Sequence, residues 1–183
     1  MLTIITPSCR QHLLPKVRES IQLDKIDKWI VVYDTSKNRA YNKIFDDPKI
    51  LEVFCDTPGT CGHPQINFGV DLVDSGHIYV LDDDNIVHPN FWTLDFSDPS
   101  KFYTFDQQRN TRRILLGNRI QVGCIDTAMF VVPKHMYEPW IVNKRKADGA
   151  LICSIHSKHK DHHKYIHTTA AYFNYLRQSC FAK

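Results

Sequence analysis

The sequence predicts an α/β domain built on a largely parallel sheet, and three observations carry that expectation. Short apolar, β-branched runs alternate with stretches of helical spacing through the first half of the chain. Those runs stop abruptly at Asp, Thr, Pro or Gly, so polar groups collect where strands end. With 183 residues, 43% of them hydrophobic and 23% charged, the chain can bury one core and calls for a single domain over 1–183.

Leu2–Thr6 is an apolar strand that ends at Pro7, and Leu13–Leu23 follows with helical spacing at Leu13, Leu14, Val17 and Ile21. Trp29–Tyr33 is a second buried strand, stopped by Asp34-Thr35-Ser36. Ile50–Cys55 is a third, stopped by Asp56-Thr57-Pro58-Gly59. Gln65–Ser75 carries Ile66, Val70 and Val73 on one face and has Gly76 as its C-terminal stop, which predicts an amphipathic helix. Ile78–Leu81 is a fourth strand and runs straight into Asp82-Asp83-Asp84. After Pro89 the pattern weakens. Phe102–Phe105, Ile114–Leu116 and Ala128–Val132 are expected as strands of a mixed or antiparallel segment, and Lys146–Ser157 and Ala170–Gln178 as helices. No repeat or linker interrupts the chain.

Composition excludes several functions. A formal charge of +3, with basic residues scattered until the last quarter, is no nucleic-acid footprint. No apolar run reaches the ~20 residues of a membrane span, and Met1–Pro7 lacks the basic and apolar regions of a signal peptide. The expected location is cytoplasmic. The six cysteines are dispersed without a C-x-x-C pair, so they are expected as reduced and mostly buried thiols. P-loop and dinucleotide glycine motifs are absent.

The acidic triplet carries the chemistry. Three adjacent carboxylates repel one another unless a cation or donors compensate, and a hard divalent ion such as Mn²⁺ or Mg²⁺ binds through one or two carboxylates plus phosphate oxygens. A strand ending at the triplet turns it toward the sheet edge where α/β folds bind ligands, and Asp34 and Asp56 fall at the same edge. A metal held there would stabilise a departing diphosphate. A solvated acidic loop is the plainer alternative, and the buried run Ile78–Leu81 argues against it.

Tyr79-Val80-Leu81-Asp82-Asp83-Asp84-Asn85 resembles the D-D-D-N site of glycosyltransferase family 43, the β-glucuronyltransferases, and more broadly the D-x-D site of GT-A enzymes. Further segments agree in order: Ile5-Thr6-Pro7-Ser8-Cys9-Arg10, Trp29–Asp34, Gln65-Ile66-Asn67, Ile125–Phe130 and His167-Thr168-Thr169. The resemblance implies a GT-A fold, a Rossmann-like mixed sheet flanked by helices, with a nucleotide-sugar half over about 1–90 and an acceptor half over about 91–183. It implies a metal-dependent, inverting glycosyltransferase that uses a UDP-sugar donor and a glycan acceptor. By resemblance Thr6, Pro7, Arg10, Asp34, Asp82 and Asp83 fall at the nucleotide sugar, Asp84 at the metal, Asp126 on the acceptor side and His167 at the diphosphate. The departures are Ile66, where the family carries Arg, and the missing Q-E-S around its catalytic Glu. They argue against a glucuronic acid donor. With no N-terminal anchor and stem, the compact cytosolic transferases, including those of large DNA viruses, are a closer fit than a Golgi enzyme. A sugar-nucleotide nucleotidyltransferase and a non-catalytic binding module are the competing classes; the N-terminal loop lacks the glycine-rich basic stretch that would grip a triphosphate.

Several other residues keep two readings. Asp126, at the start of an apolar run, is an acceptor-side hydrogen-bonding group or a turn residue. Downstream of it the remaining acids are Glu138, Asp148 and Asp161. Asp148, at the start of the expected helix and about where the family places its catalytic Glu, is the expected general base, with helix N-cap as the alternative. Arg10 and Arg39 either reach the nucleotide or are surface charges. The histidines of 156–167, among lysines and without cysteine partners, are expected in a hydrated basic loop, with His167 set apart. Phe91, Trp92, Phe102, Tyr103 and Phe105 are expected in the core, with one or two able to stack on an acceptor sugar.

Overall fold

The computed structural model describes residues 1–36, 40–110, 113–142 and 144–177. In chain order the elements are β1 Leu2–Ser8, α1 Leu14–Glu19, β2 Lys28–Asp34, β3 Ile50–Cys55, α2 His63–Asp71, β4 His77–Val80, β5 Ile86–Val87, β6 Phe102–Asn110, β7 Arg113–Leu115, β8 Phe130–Pro133, α3 Ala147–Lys158 and β9 His163–Tyr172. Short 3₁₀ turns join several of them.

Among the described residues the strands form one mixed sheet in the order β3-β2-β1-β4-β8-β6-β9-β5, with β7 paired antiparallel to β6. The first four strands, β1 to β4, are mutually parallel. From β8 onward the sheet is mixed, with β8 antiparallel to both β4 and β6, and β9 parallel to β6.

The parallel strands read as unbroken apolar runs because both of their faces are covered. Successive side chains point to opposite faces, so each run divides its residues between two cores. Ile4, Trp29 and Tyr79 are in register across β1, β2 and β4 and face one core with α1. Ile5, Ile30 and Val80, one position on, face the other with α2 and α3. A one-residue slip in any of these strands would exchange its faces, so the register is strongly fixed. The sheet edge that holds the acidic triplet is fixed with it.

Five expectations need correction. The helix over 13–23 is broken: only Leu14–Glu19 is α-helical, entered through Pro15 and flanked by 3₁₀ turns. The amphipathic helix expected from Gln65 begins at His63 and ends at Asp71. The terminal helix expected from Ala170 is not formed; Ala170–Tyr172 close β9, and residues 173–177 make turns. Tertiary pairing overrides the local pattern there. β9 bonds to β6 on one side and to Ile86–Val87 on the other, and a helix would leave both edges unpaired. Gln178 and Cys180 lie outside the described residues.

The histidine-rich stretch is not a loop either. It runs from α3 through a 3₁₀ turn into β9. His163 stacks on Phe102 at 4.9 Å and bonds to Thr104 Oγ1 at 2.8 Å, and burial pushes its pKa down to about 4. Of the described cysteines only Cys55 is buried. Cys9, Cys124 and Cys153 are half-buried and Cys61 is exposed, and no disulfide joins any two of these five.

Candidate functional site

The carboxyl ends of β1, β2 and β4 meet at one edge of the sheet, where β1 lies between strands that run to either side. A cavity of about 280 Å³ opens there, walled by Pro7 to Arg10, Asp34, Gly59, Cys61, Gly62, Gln65, Asp82 to Asp84 and Asn174. Gly62 enters α2 with φ +74°, and a Cβ on it would lie 2.8 Å from that of Pro7. Only glycine lets α2 begin this close to the cavity wall.

The three aspartates are not equivalent. Asp83 is buried and accepts hydrogen bonds from Ser8 Oγ at 3.1 Å and from the backbone N–H groups of Cys9 and Arg10 at 2.9 Å, with the Arg10 guanidinium on its other oxygen. Its carboxylate therefore fixes the loop after β1. Asp84 Oδ2 accepts Arg10 Nη2 at 2.9 Å and Arg177 Nη1 at 3.3 Å. Burial nevertheless holds the Asp84 pKa above the usual carboxylate range, against the pull of Arg10. Asp82 is half-buried, touches Thr127 Oγ1 at 3.4 Å, and is pushed well up by burial and then by Asp126, Asp84, Asp83 and Asp148.

Asp82 and Cys61 also line a second cavity, of about 400 Å³, whose walls include His63, Arg109, Asp126, Thr127, Trp140, Lys146 and Asp148. The two cavities therefore meet at Asp82. Asp126 is buried and held by Gln107 Nε2 at 2.9 Å. Asp148 lies in the first turn of α3 and is hydrogen-bonded to the Asp126 carboxyl. Burial, then Asp126, raise its pKa to about 6, while the Gly149 N–H pulls it back. Gly149 lets α3 approach closely, since a Cβ there would meet Val122 Cα at 2.8 Å. The N-cap reading of Asp148 does not hold: Lys146 occupies that position with no side-chain cap bond, and Asp148, inside the first turn, faces a cavity beside a second carboxyl.

Of the residues singled out from sequence, Pro7, Arg10, Asp34 and the triplet share the first cavity, and Asp82, Asp126 and Asp148 the second. Thr6 is not brought to either wall. It is fully buried, and its hydroxyl accepts the Trp29 indole N–H at 2.9 Å. His167 also lines neither of these cavities; its side chain is 80% exposed on β9, 3.6 Å from Asp106. Arg39 lies outside the described residues. Glu138 is engaged by Lys158 at 2.7 Å and Ser154 at 2.9 Å. Phe91, Trp92, Phe102, Tyr103 and Phe105 are all core, so none stacks in the second cavity. Sequence reasoning missed Asn174 and Arg177 beside the triplet, because the chain after Ala170 has helical spacing. It also missed His63, Arg109, Trp140 and Lys146. A usable signal for Trp140 is Asn67, whose amide bonds both the N–H and the C=O of Trp140, at 2.8 and 3.1 Å.

A chain with a parallel β3-β2-β1-β4 unit extended by antiparallel β8 matches solved structures over 93–94% of its length. The fold is of the GT-A type. It superposes on S. aureus TarS 1–349 with a TM-score of 0.62 over 93% of this chain and 59% of that one, at 8% identity. The same TarS segment in complex with UDP-GlcNAc gives 0.62 at 9% identity, covering 94% and 58%. Its complex with UDP gives 0.61 at 10%, covering 94% and 60%. This chain spans about three fifths of that TarS segment, and identities this low show a shared fold. No protein-family model and no curated protein matches the sequence. No helix among the described residues is long and apolar enough to cross a membrane.

Proposed function

We propose that this GT-A chain moves a sugar from a UDP-linked donor to an acceptor hydroxyl, with inversion at the anomeric carbon and with Mn²⁺ or Mg²⁺. One observation carries the proposal: the carboxylate-lined cavity at the strand ends shares Asp82 and Cys61 with a second cavity that is lined by Asp126 and Asp148. A nucleoside diphosphate in the first would present its sugar at the junction, and an acceptor in the second would find a carboxylate within reach. TarS is solved with UDP-GlcNAc and with UDP, so UDP donors are the first to test.

Among the described residues no three His, Cys, Asp or Glu side chains are placed to hold a metal ion unaided. The residues fit a cation that arrives with its phosphate ligands. Four carboxyl groups and one guanidinium wall the first cavity, so a diphosphate needs added positive charge to enter. Asp84 is the buried carboxylate that would bind the ion, and when bound the ion would stabilise the charge that develops on the leaving diphosphate.

Each protein group then has a distinct task. Asp83 keeps the loop after β1 shaped around the nucleotide, and Asp34 stands at the end of β2 beside it. Asp82, at the junction, positions the ribose or sugar. Asp148 takes the proton of the acceptor hydroxyl as its oxygen bonds to the anomeric carbon and the bond to the diphosphate oxygen breaks. A carboxyl that titrates near 6 is ionised at neutral pH and is a stronger base than a free aspartate. Asp126, held by Gln107, is the neighbouring carboxyl that strengthens Asp148 as a base by raising its proton affinity.

Incubating the protein with UDP-sugars, Mn²⁺ and a panel of acceptor sugars tests the proposal. Acceptor-dependent UDP release supports it. Pyrophosphate formed from UTP and a sugar phosphate would point to a nucleotidyltransferase, and UDP-sugar binding without turnover to a binding module.

A further inference from the structure

We infer that Arg177 is the exchangeable counterion of Asp84: it holds that carboxylate in the ligand-free site and passes to the diphosphate when a divalent cation takes its place. The inference rests on the nucleotide-diphosphate reading of the first cavity. It makes the turn after β9 a working part of the donor site.

That turn is built onto the triplet. The Leu176 N–H donates to the Asp84 carbonyl at 3.1 Å, and the Asn174 N–H donates to Asn85 Oδ1 at 2.7 Å. Asn174 adopts a left-handed φ of +47° and lines the cavity itself. From behind, the Phe173 N–H bonds to the Gln108 carbonyl at 2.9 Å, and the Arg109 guanidinium lies 4.0 Å over the Phe173 ring. These contacts leave Arg177 beside Asp84, a residue of the cavity wall, with its side chain 56% exposed and its Nη1 3.3 Å from a carboxylate that is 4% exposed.

Two guanidiniums converge on one oxygen, Asp84 Oδ2. A cation that needs this oxygen must displace at least one of them. Arg10 is the harder to move, since it also pairs with Asp83 and its backbone N–H is bonded there. Arg177, the more exposed of the two and held, among the described residues, by Asp84 alone, is the one that can leave. Once it leaves Asp84, its charge stands beside the space a diphosphate would fill.

Neither ligand alone is well received. A lone cation must push a guanidinium off Asp84, and a lone diphosphate meets the carboxyl groups of Asp34, Asp82, Asp83 and Asp84. Together each offsets the cost the other meets, with the cation on Asp84 and Arg177 on the phosphates. The expected behaviour is strong positive coupling between cation and nucleotide, with Arg177 as one of its carriers.

Titration calorimetry on the whole chain, wild type against Arg177→Gln, tests this with three injections: Mn²⁺ alone, UDP alone, and UDP with saturating Mn²⁺. Losing one charge-assisted hydrogen bond is expected to change each affinity by roughly tenfold. Mn²⁺ alone should bind the variant about tenfold more tightly, while UDP in the presence of Mn²⁺ should bind it about tenfold more weakly. Arg177→Lys, which keeps the charge, should lie between the two. A purely structural Arg177 would weaken both affinities together and lower the melting temperature. Unchanged or weaker Mn²⁺ binding by Arg177→Gln would overturn the pairing with Asp84. Unchanged UDP binding in Mn²⁺ would overturn the transfer to the diphosphate. A wild-type chain that binds no UDP even with Mn²⁺ sinks the nucleotide reading itself, and the Mn²⁺-alone injection still decides the pairing.

Discussion

Asparagine in place of Asp148 keeps the volume and the ability to bond the start of α3, but it removes the group proposed to accept the acceptor's proton. Two effects of opposite sign should follow. Asp148 titrates at about 6 instead of 3.8, chiefly because it is buried and then because of Asp126. At 1.36 kcal/mol per tenfold change in proton affinity, ionising it inside the fold costs up to about 3 kcal/mol. Its folded pKa lies above the unfolded one, so the native state holds the proton more tightly. That stabilisation is complete below the unfolded value and is lost as pH rises through about 6. The wild type therefore carries the cost at pH 8, and Asp148→Asn does not. For a chain of this size the variant should melt several degrees higher at pH 8, by roughly 2–4 °C per kcal/mol relieved. The gain should shrink toward pH 4. Sugar transfer, followed as UDP release at pH 8, should fall at least ~100-fold while UDP binding persists. The wild-type rate should rise with pH and level off above about 6. Near-normal transfer by Asp148→Asn would refute the base assignment and leave Asp126 as the next candidate, and a loss of stability at pH 8 would refute the buried-charge argument.

The other aspartates should separate by the same kind of measurement. Asp84→Asn should abolish the Mn²⁺ dependence of UDP binding in calorimetry while the fold survives, because it removes the charge and keeps the shape. Asp83→Ala should instead unfold more easily, by about 3 kcal/mol or more in urea, since it strips a buried acceptor from Ser8, Cys9 and Arg10. For His167→Ala, UDP affinity and turnover should stay within roughly twofold, as expected of an exposed side chain away from both cavities. A tenfold or larger fall in turnover would return His167 to the diphosphate, where the family resemblance puts it.

Much of the fold was legible because local pattern and tertiary role agree in the first half. Ile4-Ile5, Trp29–Tyr33 and Ile78–Leu81 alternate between two cores, and such runs can only be strands covered on both faces. Each ends in polar residues, so the sheet edge that carries the first cavity, with Pro7, Arg10, Asp34 and Asp82 to Asp84 in its wall, was legible in the sequence. The rest depends on contacts that leave no periodic trace. β9 is a strand because β6 and β5 each need a partner, though Ala170–Leu176 has helical spacing. Arg177 reaches Asp84 only because that strand exists. His163 looked like one of several hydrated basic residues, and Phe102 makes it a packed neutral ring. The second cavity gathers Cys61, Arg109, Trp140 and Asp148 from four parts of the chain, and no spacing rule joins them.

The central claim is that one cleft holds a UDP-sugar and an acceptor hydroxyl side by side, with a base on the acceptor side. Proton NMR of the reaction mixture tests it most directly, with UDP-GlcNAc and other UDP-sugars offered together with Mn²⁺ and candidate acceptors. The account predicts UDP and a new glycosidic anomeric signal in equal amounts, of inverted configuration, and only when acceptor and divalent cation are both present. A product of retained configuration would contradict the base on Asp148, and UDP-sugars left intact across the panel would contradict the claim itself.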